Sequence, residues 1–258
     1  MIFLKNAQEI NIIRQSARIL SQVFGIMAQE IRPGVTTKRL DSLAEAFIQD
    51  HGGRPSFKGF KRFPASVCTS VNDAVVHGIP NDYRLVEGDI VSIDCGVAYK
   101  GFHSDAAFTF PVGRVSTVVE KLLATTQAAL YEGIRQASAG KRTGDIGQAI
   151  QDYVHTQGCS VVRELAGHGI GRKLHEDPDV PNYGKRGRGV KLRPGMVLAI
   201  EPMINLGKSG VVYERDGWTV STRDKTFSAH FEHTVVVHAH TTEVLTTYEH
   251  IEKALQAS

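Results

Sequence analysis

Two stretches of this chain can be laid over one another without a gap, and that internal repeat limits the fold more than any other feature. Residues 34–52 and 140–158 pair Gly34 with Gly140, Thr37 with Thr143, Leu40 with Ile146, Leu43 with Ala149, Phe47 with Tyr153, Ile48 with Val154 and Gly52 with Gly158. Farther on, LVEGDIVSID (Leu85 to Asp94) matches LRPGMVLAIE (Leu192 to Glu201), setting Gly88 over Gly195, Ile93 over Ile200 and Asp94 over Glu201. Chance can produce one match of this kind between two strands. Two in the same order favour duplicated halves, roughly 10–110 and 116–240. A shared site would then lie where the halves meet. With 258 residues, 41% of them hydrophobic, the chain can bury a substantial core, and a single α/β (α+β) domain spanning 1–258 is expected.

The hydrophobic spacing assigns elements to that repeat. Ile10, Ile13, Ala17, Leu20 and Phe24 recur at three- and four-residue steps with Arg14, Arg18 and Gln22 between them, which reads as an amphipathic helix. Pro33 and Gly34 break it, Thr36 or Thr37 can cap a second helix through Leu40, Leu43, Ala44 and Phe47, and Gly52 and Gly53 end that one. From Cys68 the texture becomes short β-branched runs, notably Asp89 to Val97 and His103 to Phe110, which should be strands. Helical spacing returns between Val118 and Ile134 and again from Gly140 to Gly158, with further strands to about Val237.

Several classes of protein are disfavoured. A formal net charge of +3, with 22% charged residues, gives no field that would make specific DNA or a membrane surface a main partner. Cys68, Cys95 and Cys159 are odd in number and unpaired in spacing, which suits reduced thiols rather than a disulfide framework or a cysteine zinc site. Lys5, Asn6, Gln8 and Glu9 follow the first four residues at once, leaving no apolar run for a signal peptide or a span. The expected location is the cytoplasm. Lys58 to Arg62 and Lys185 to Arg193 are basic stretches that read first as solvated loops and second as docking surfaces for ribosomal RNA.

The carboxylates carry the chemistry. An Asp at a strand end is an ordinary thing, but Asp94 and Asp105 flank a segment whose Tyr99-Lys100-Gly101 centre looks like a hairpin turn. A turn centred on Tyr99 and Lys100 opposes the two aspartates directly; one centred on Lys100 and Gly101 keeps them on the same face. Either way two like charges converge, and a divalent cation is the natural remedy. Glu201 ends a matching run in the second half, Glu232 opens the run Thr234 to Val237, and His168 and His175 flank Gly171-Arg172 in a candidate second hairpin. Asp94, Asp105, His168, Glu201 and Glu232 thus form an oxygen-rich set with one nitrogen donor, suited to two hard or borderline divalent ions such as Mn, Fe, Co, Zn or Ni. Paired ions of this type acidify a shared water and polarise a carbonyl, which is hydrolytic chemistry.

In this order, VNDAVVHGIP, DIVSIDCGVAYKGFHSDAAFTF, GHGIG, AIEP and HFEHTVVV resemble the metal-binding blocks of type I methionine aminopeptidases, over nearly the whole chain. The resemblance implies the pita-bread fold, in which two related halves form a curved antiparallel sheet covered by helices around a dinuclear centre. It implies that Asp94 and Asp105 bind metal, that Asp105 and Glu232 bridge, that His168 and Glu201 complete the other shell, and that Glu201 also shuttles a proton. It assigns His77 to the scissile amide nitrogen and His175 to the substrate carbonyl. Phe57, Phe60, Phe63, Cys68, Leu174 and Trp218 would line a methionine pocket, since aromatic and soft apolar walls accept an unbranched thioether. A monovalent Na or K ion near Asn72, Ala74 and Ser228 belongs to the same expectation.

The implied activity is removal of the initiator methionine from nascent polypeptide N-termini when the second residue is small, by a monomer acting in the cytoplasm, with a ribosome contact left open. The short stretch from His175 to Gly195 has no room for the long insertion of the type II enzymes, and the chain resembles the compact bacterial form. The competing readings are an Xaa-Pro peptidase of the same fold, with ligands of the same types, and a non-catalytic pita-bread protein that binds peptides or nucleic acid.

Overall fold

The computed structural model describes residues 1–256. Helix α1 (Ala7–Glu30) starts from a reciprocal cap, Asn6 accepting from the Glu9 amide while the Glu9 carboxylate accepts from Asn6. Helix α2 (Thr37–Asp50) is capped by Thr36, whose hydroxyl accepts from the Arg39 amide. Helices α3 (Thr117–Ile134) and α4 (Thr143–Thr156) follow in the second half, and α5 (Glu249–Gln256) closes the described chain. Both α2 and α4 have 14 residues. The glycines that the repeat superimposes share their backbone state: φ is +92° at Gly34 and +91° at Gly140, +73° at Gly52 and +77° at Gly158, +95° at Gly88 and +86° at Gly195. These are left-handed positions that a side chain would strain.

A nine-stranded sheet carries the rest. Along its main path lie Arg54–Pro55, Ile90–Tyr99, Phe102–Pro111, Glu232–Val237, Val197–Ile200, Ala166–Gly169 and Glu176–Pro181, with Val67–Val71 also paired to Ile90–Tyr99 and Thr242–Val244 to Glu232–Val237, all antiparallel. The order has a centre. The Asp94 and Asp105 strands stand on one side of it and the Glu232 and Glu201 strands on the other. Two smaller three-stranded sheets complete the β structure, one of them joining Met203–Asn205 to Ser228–His230 and Ser160–Val161.

The long hairpin settles the register left open by the sequence. Tyr99 pairs with Phe102, so Lys100 and Gly101 form the turn, and Asp94 lies opposite Ala107 while Asp105 lies opposite Gly96. The two aspartates are diagonal neighbours on one face. At the centre of the sheet Thr234 ties the Glu232 strand to the Asp105 strand: its hydroxyl donates to the Asp105 carbonyl at 2.7 Å and accepts from the Asp105 amide at 2.9 Å. Helices α1, α2, α3 and α4 cover the sheet, and Leu20, Phe24, Leu40, Ile48, Ile93, Leu122, Leu130, Ile150 and Leu198 fill one large core between them.

Beside that core, Asp89 is buried and accepts from the Asn72 amide nitrogen at 2.8 Å and from both the Tyr83 hydroxyl and the Val86 amide at 2.9 Å. Replacing Asp89 by alanine strands these donors and is expected to lower the unfolding free energy by about 2–3 kcal/mol. Denaturant unfolding of the variant checks this, and an unchanged midpoint would contradict the role given to Asp89.

Candidate metal centre and substrate cavity

Five neighbouring strands deliver the five candidate ligands to one place. Asp94 and Asp105 come from the long hairpin, Glu232 begins the strand beside it, Glu201 follows the next strand, and His168 sits in the one after. Donor atoms of Asp105, His168 and Glu232 all lie within 4.8 Å of one another. The His168 Nε2 is 4.0 Å from Asp105 Oδ2 and 3.5 Å from Glu201 Oε1. Glycines let these strands approach: a Cβ at Gly167 would strike the Ala199 carbonyl, and one at Gly169 the Asp177 carbonyl.

The His168 ring shows what the cluster is built for. Its Nδ1 lies 2.9 Å from the Gly169 carbonyl, an acceptor only, so Nδ1 carries the proton. Burial keeps the ring neutral, with its pKa lowered to about 3, so Nε2 turns a lone pair toward two carboxylate oxygens. An acceptor facing acceptors is repulsive unless a cation stands between them. Asp94 Oδ1 and Glu232 Oε1 are buried with no hydrogen-bond partner among the described residues. Burial pushes Asp94 up to about 7, with repulsion from Glu201 adding to it, and pushes Glu201 up to about 8. Asp105 and Glu232 are also raised, by burial first and then by the neighbouring carboxylates. These residues fit divalent cations.

His77 occupies a strained position, with φ +59°. The next residue explains how it is held. Gly78 donates to Ser70 Oγ at 3.1 Å and accepts from the Thr69 amide at 2.8 Å, and a Cβ there would collide with the Thr69 carbonyl. The His77 ring stands edge-on to Trp218, centroids 6.2 Å apart, and burial lowers its pKa to about 4. His175 lies at the exposed rim, its ring 4.1 Å from that of His168 and 5.1 Å from Phe60.

A cavity of about 130 Å³ adjoins the ligands, lined by Phe57, Phe60, Phe63, Cys68, Leu174 and Trp218 together with His77 and His175. At roughly 30 Å³ per water this is space for about four waters or one unbranched side chain. Trp218 packs edge-on to Phe63 at 5.1 Å and is set by the Gly217 turn, where Asp216 accepts from the amides of Trp218 and Thr219. Lys61 also lines the cavity from a left-handed position, φ +46°, and Arg62 follows at +73°. Sequence patterning gave no sign of that kink, because its left-handed residues are not glycines.

Other expected residues fall nearby. Ser228 donates its amide to the Asn72 carbonyl at 2.9 Å, which places two of the three residues named for a monovalent ion side by side. Of the first basic stretch, Lys58 is held by Glu45 at 2.6 Å. The sequence reading gave no site role to Lys5, Glu176 or His230. Lys5 bonds Glu176 at 2.5 Å with both side chains buried, tying the segment before α1 to the loop that carries His175. His230 stands behind Glu201, Nε2 to Oε2 at 3.6 Å.

Residues 11–239 match the profile of metallopeptidase family M24, and the chain belongs to that family. Within it the chain stands among the methionine aminopeptidases. It is 53% identical to the methionine aminopeptidase of Clostridium perfringens over 246 residues, covering 95% of this chain and 99% of that one. The crystal structure of the enzyme from Rickettsia prowazekii, 40% identical, superposes with a TM-score of 0.94 over 96% of this chain and 100% of that one. A prolidase from Pyrococcus furiosus, 22% identical with a TM-score of 0.75, shares the fold, and the match covers 95% of this chain and 65% of that one. The curled antiparallel sheet with its helical cover is the pita-bread fold.

The expectation that His175 donates to the substrate carbonyl predicts that its replacement by alanine lowers peptide turnover by about 10²-fold. Divalent metal affinity should stay within error, since His175 stands outside the ligand cluster. Parallel steady-state kinetics and calorimetric metal titration check both halves of this statement. Equal loss of metal and turnover would move His175 into the ligand set.

Proposed function

We propose that this chain is a methionyl aminopeptidase that hydrolytically removes the initiator methionine from new proteins when the second residue is small. One observation carries the reading: the cavity walled by Phe63, Cys68 and Trp218 opens directly onto Asp94, Asp105, His168, Glu201 and Glu232. Its relatives named methionine aminopeptidase support it along the whole chain. Asp94, Asp105, His168, Glu201 and Glu232 would hold two divalent ions, which would supply Lewis acidity that polarises the scissile carbonyl and acidifies water.

The protein's own groups do the rest. The aromatic and thiol walls take the methionine side chain and fix where the scissile bond lies. Glu201 accepts the proton released as water attacks and returns it to the departing amine. His175 donates a hydrogen bond to the substrate carbonyl as negative charge develops there, and His77 meets the scissile amide nitrogen. Release of free methionine and of the shortened peptide with its new N-terminal amine completes the cycle. The matched glycines and the equal lengths of α2 and α4 support reading residues roughly 10–110 and 116–240 as duplicated halves meeting at this site.

The remaining details of the proposal are a cytoplasmic monomer of the compact type I form, acting on emerging chains, with a Na or K ion beside Asn72, Ala74 and Ser228. Among the described residues no helix is long and apolar enough to cross a membrane. The test uses protein stripped with chelator and resupplied with Mn or Co, then given Met-Ala-Ser, Met-Pro or Ala-Pro peptides. Metal-dependent methionine release from Met-Ala-Ser is the expected result. Cleavage confined to Xaa-Pro bonds would favour the prolidase-like reading, and silence with metal bound would leave a peptide-binding protein.

A further inference from the structure

His230 is the last residue of the strand Ser228–His230, and its side chain is spent on nothing the fold requires. The residue is 1% exposed, and neither ring nitrogen has a hydrogen-bond partner among the described residues. Leaving a buried donor or acceptor unpaired is costly, so an imidazole in this state is retained for something it faces. It faces Glu201, with Nε2 3.6 Å from Oε2, and it also interacts electrostatically with Asp94.

Its backbone cannot swing away. The His230 amide donates to Thr109 Oγ1 at 2.9 Å, and the same hydroxyl donates to the His230 carbonyl at 2.8 Å. Thr109 lies on the Asp105 strand, so the backbone that carries the ring is fixed relative to the ligand cluster. Glu201 sits between two imidazoles, its Oε1 3.5 Å from His168 and its Oε2 toward His230. His168 carries its proton on Nδ1, bonded to the Gly169 carbonyl, and has no hydrogen to offer the carboxylate. No other donor among the described residues bonds to the Glu201 side chain. A shift of a few tenths of an ångström brings the His230 contact to hydrogen-bond distance.

We propose that His230 is a positioning residue for Glu201: the Nε2–H of a neutral ring holds Oε2, which leaves Oε1 directed at the centre of the cavity. A charge-assisted bond of this kind fixes the carboxylate rotamer while the proton is moved. The inference rests on the reading of Glu201 as the proton shuttle.

The test compares wild type with His230→Phe, which keeps a ring and loses both nitrogens, and His230→Gln, which restores one donor. With Met-Ala-Ser and Mn, His230→Phe is expected to lower kcat about 10- to 100-fold, as small misplacement of a reacting group does, with KM unchanged. His230→Gln should return kcat to within about threefold of wild type. Calorimetry should find the same metal stoichiometry in all three. Independently of any variant at 230, the ¹⁵N spectrum of the wild-type histidines should show a neutral Nε2–H ring that shifts on Glu201→Gln. A wild-type rate in His230→Phe, a His230→Gln as slow as His230→Phe, or an Nδ1–H ring would each overturn the proposal. Absence of methionine release from metal-loaded wild type would instead fail the functional reading, and the tautomer measurement would still decide whether His230 holds Glu201.

Discussion

Glu201→Gln is expected to lower turnover of Met-Ala-Ser by about 10³-fold or more while the protein stays folded. Glutamine has the size of glutamate and can still accept from His230, so the packing around it changes little. What is lost is the charge that helps hold a divalent ion and the oxygen that takes and returns a proton. Burial pushes the Glu201 pKa up to about 8, so in the metal-free fold the group has to take up a proton at neutral pH, a cost that glutamine, neutral throughout, does not carry. The thermal midpoint without metal should therefore be equal to or above that of wild type. Stopped assays with long incubation and a melting curve check the two statements, and more than a tenth of wild-type turnover would remove Glu201 from the proton path.

The second large effect concerns the protein stripped of metal. A carboxyl group whose folded pKa is raised contributes its full stability below its unfolded value and loses it as pH rises toward the folded value. Asp94 goes from an ordinary 3.8 to about 7 and Glu201 from 4.5 to about 8. Buried histidines act in the opposite sense. His77 and His168 are lowered from 6.5 to about 4 and about 3, so their contribution is present above pH 6.5 and lost as pH falls below it. Between pH 6.5 and 8 the carboxylates act alone. Stability should fall there by up to about 1.4 kcal/mol per pH unit for each carboxyl still protonated in the folded state. Mn or Co at about a thousand times its dissociation constant should add about 4 kcal/mol and flatten the slope, because the cation replaces the protons. Melting curves of stripped and loaded protein at pH 6.5 and 8 measure both. A stripped protein as stable at pH 8 as at 6.5 would mean that the carboxylates are not crowded as described.

Much of this arrangement is legible in the chain. The spacing that marks a helix from Ile10 to Phe24 finds α1 at Ala7–Glu30, and the match of LVEGDIVSID to LRPGMVLAIE finds two strands that run toward the same centre. Asp94, Glu201 and Glu232 could be chosen because each terminates or begins an apolar run, Asp105 because it stands across a hairpin turn from Asp94, and His168 because GHGIG resembles a metal-binding block. Periodicity is silent about pairings that depend on three dimensions. Lys5 and Glu176 are distant in sequence and each alone is an ordinary surface type, so their buried contact leaves no local trace. His230 alternates with core residues in a strand and reads as packing. Helix α5, with few residues and a polar average, was passed over, although Ile251 and Ala254 are buried.

The junction made by Thr234 has a consequence for how such a chain comes into being. It links the Asp105 backbone to a hydroxyl 129 positions later, and the strand that carries Glu232 is a central member of the sheet. Closing so long a stretch of chain is entropically costly and favours slow, late assembly. A chain halted between Ile200 and Phe231 possesses the first hairpin, the His168 segment and Glu201, yet the strand that separates and joins them is missing. During synthesis the aspartates must therefore wait, protonated or solvated, until Glu232 has been made. The two sides of the centre can come together only after this last of the five candidate ligands has been synthesised.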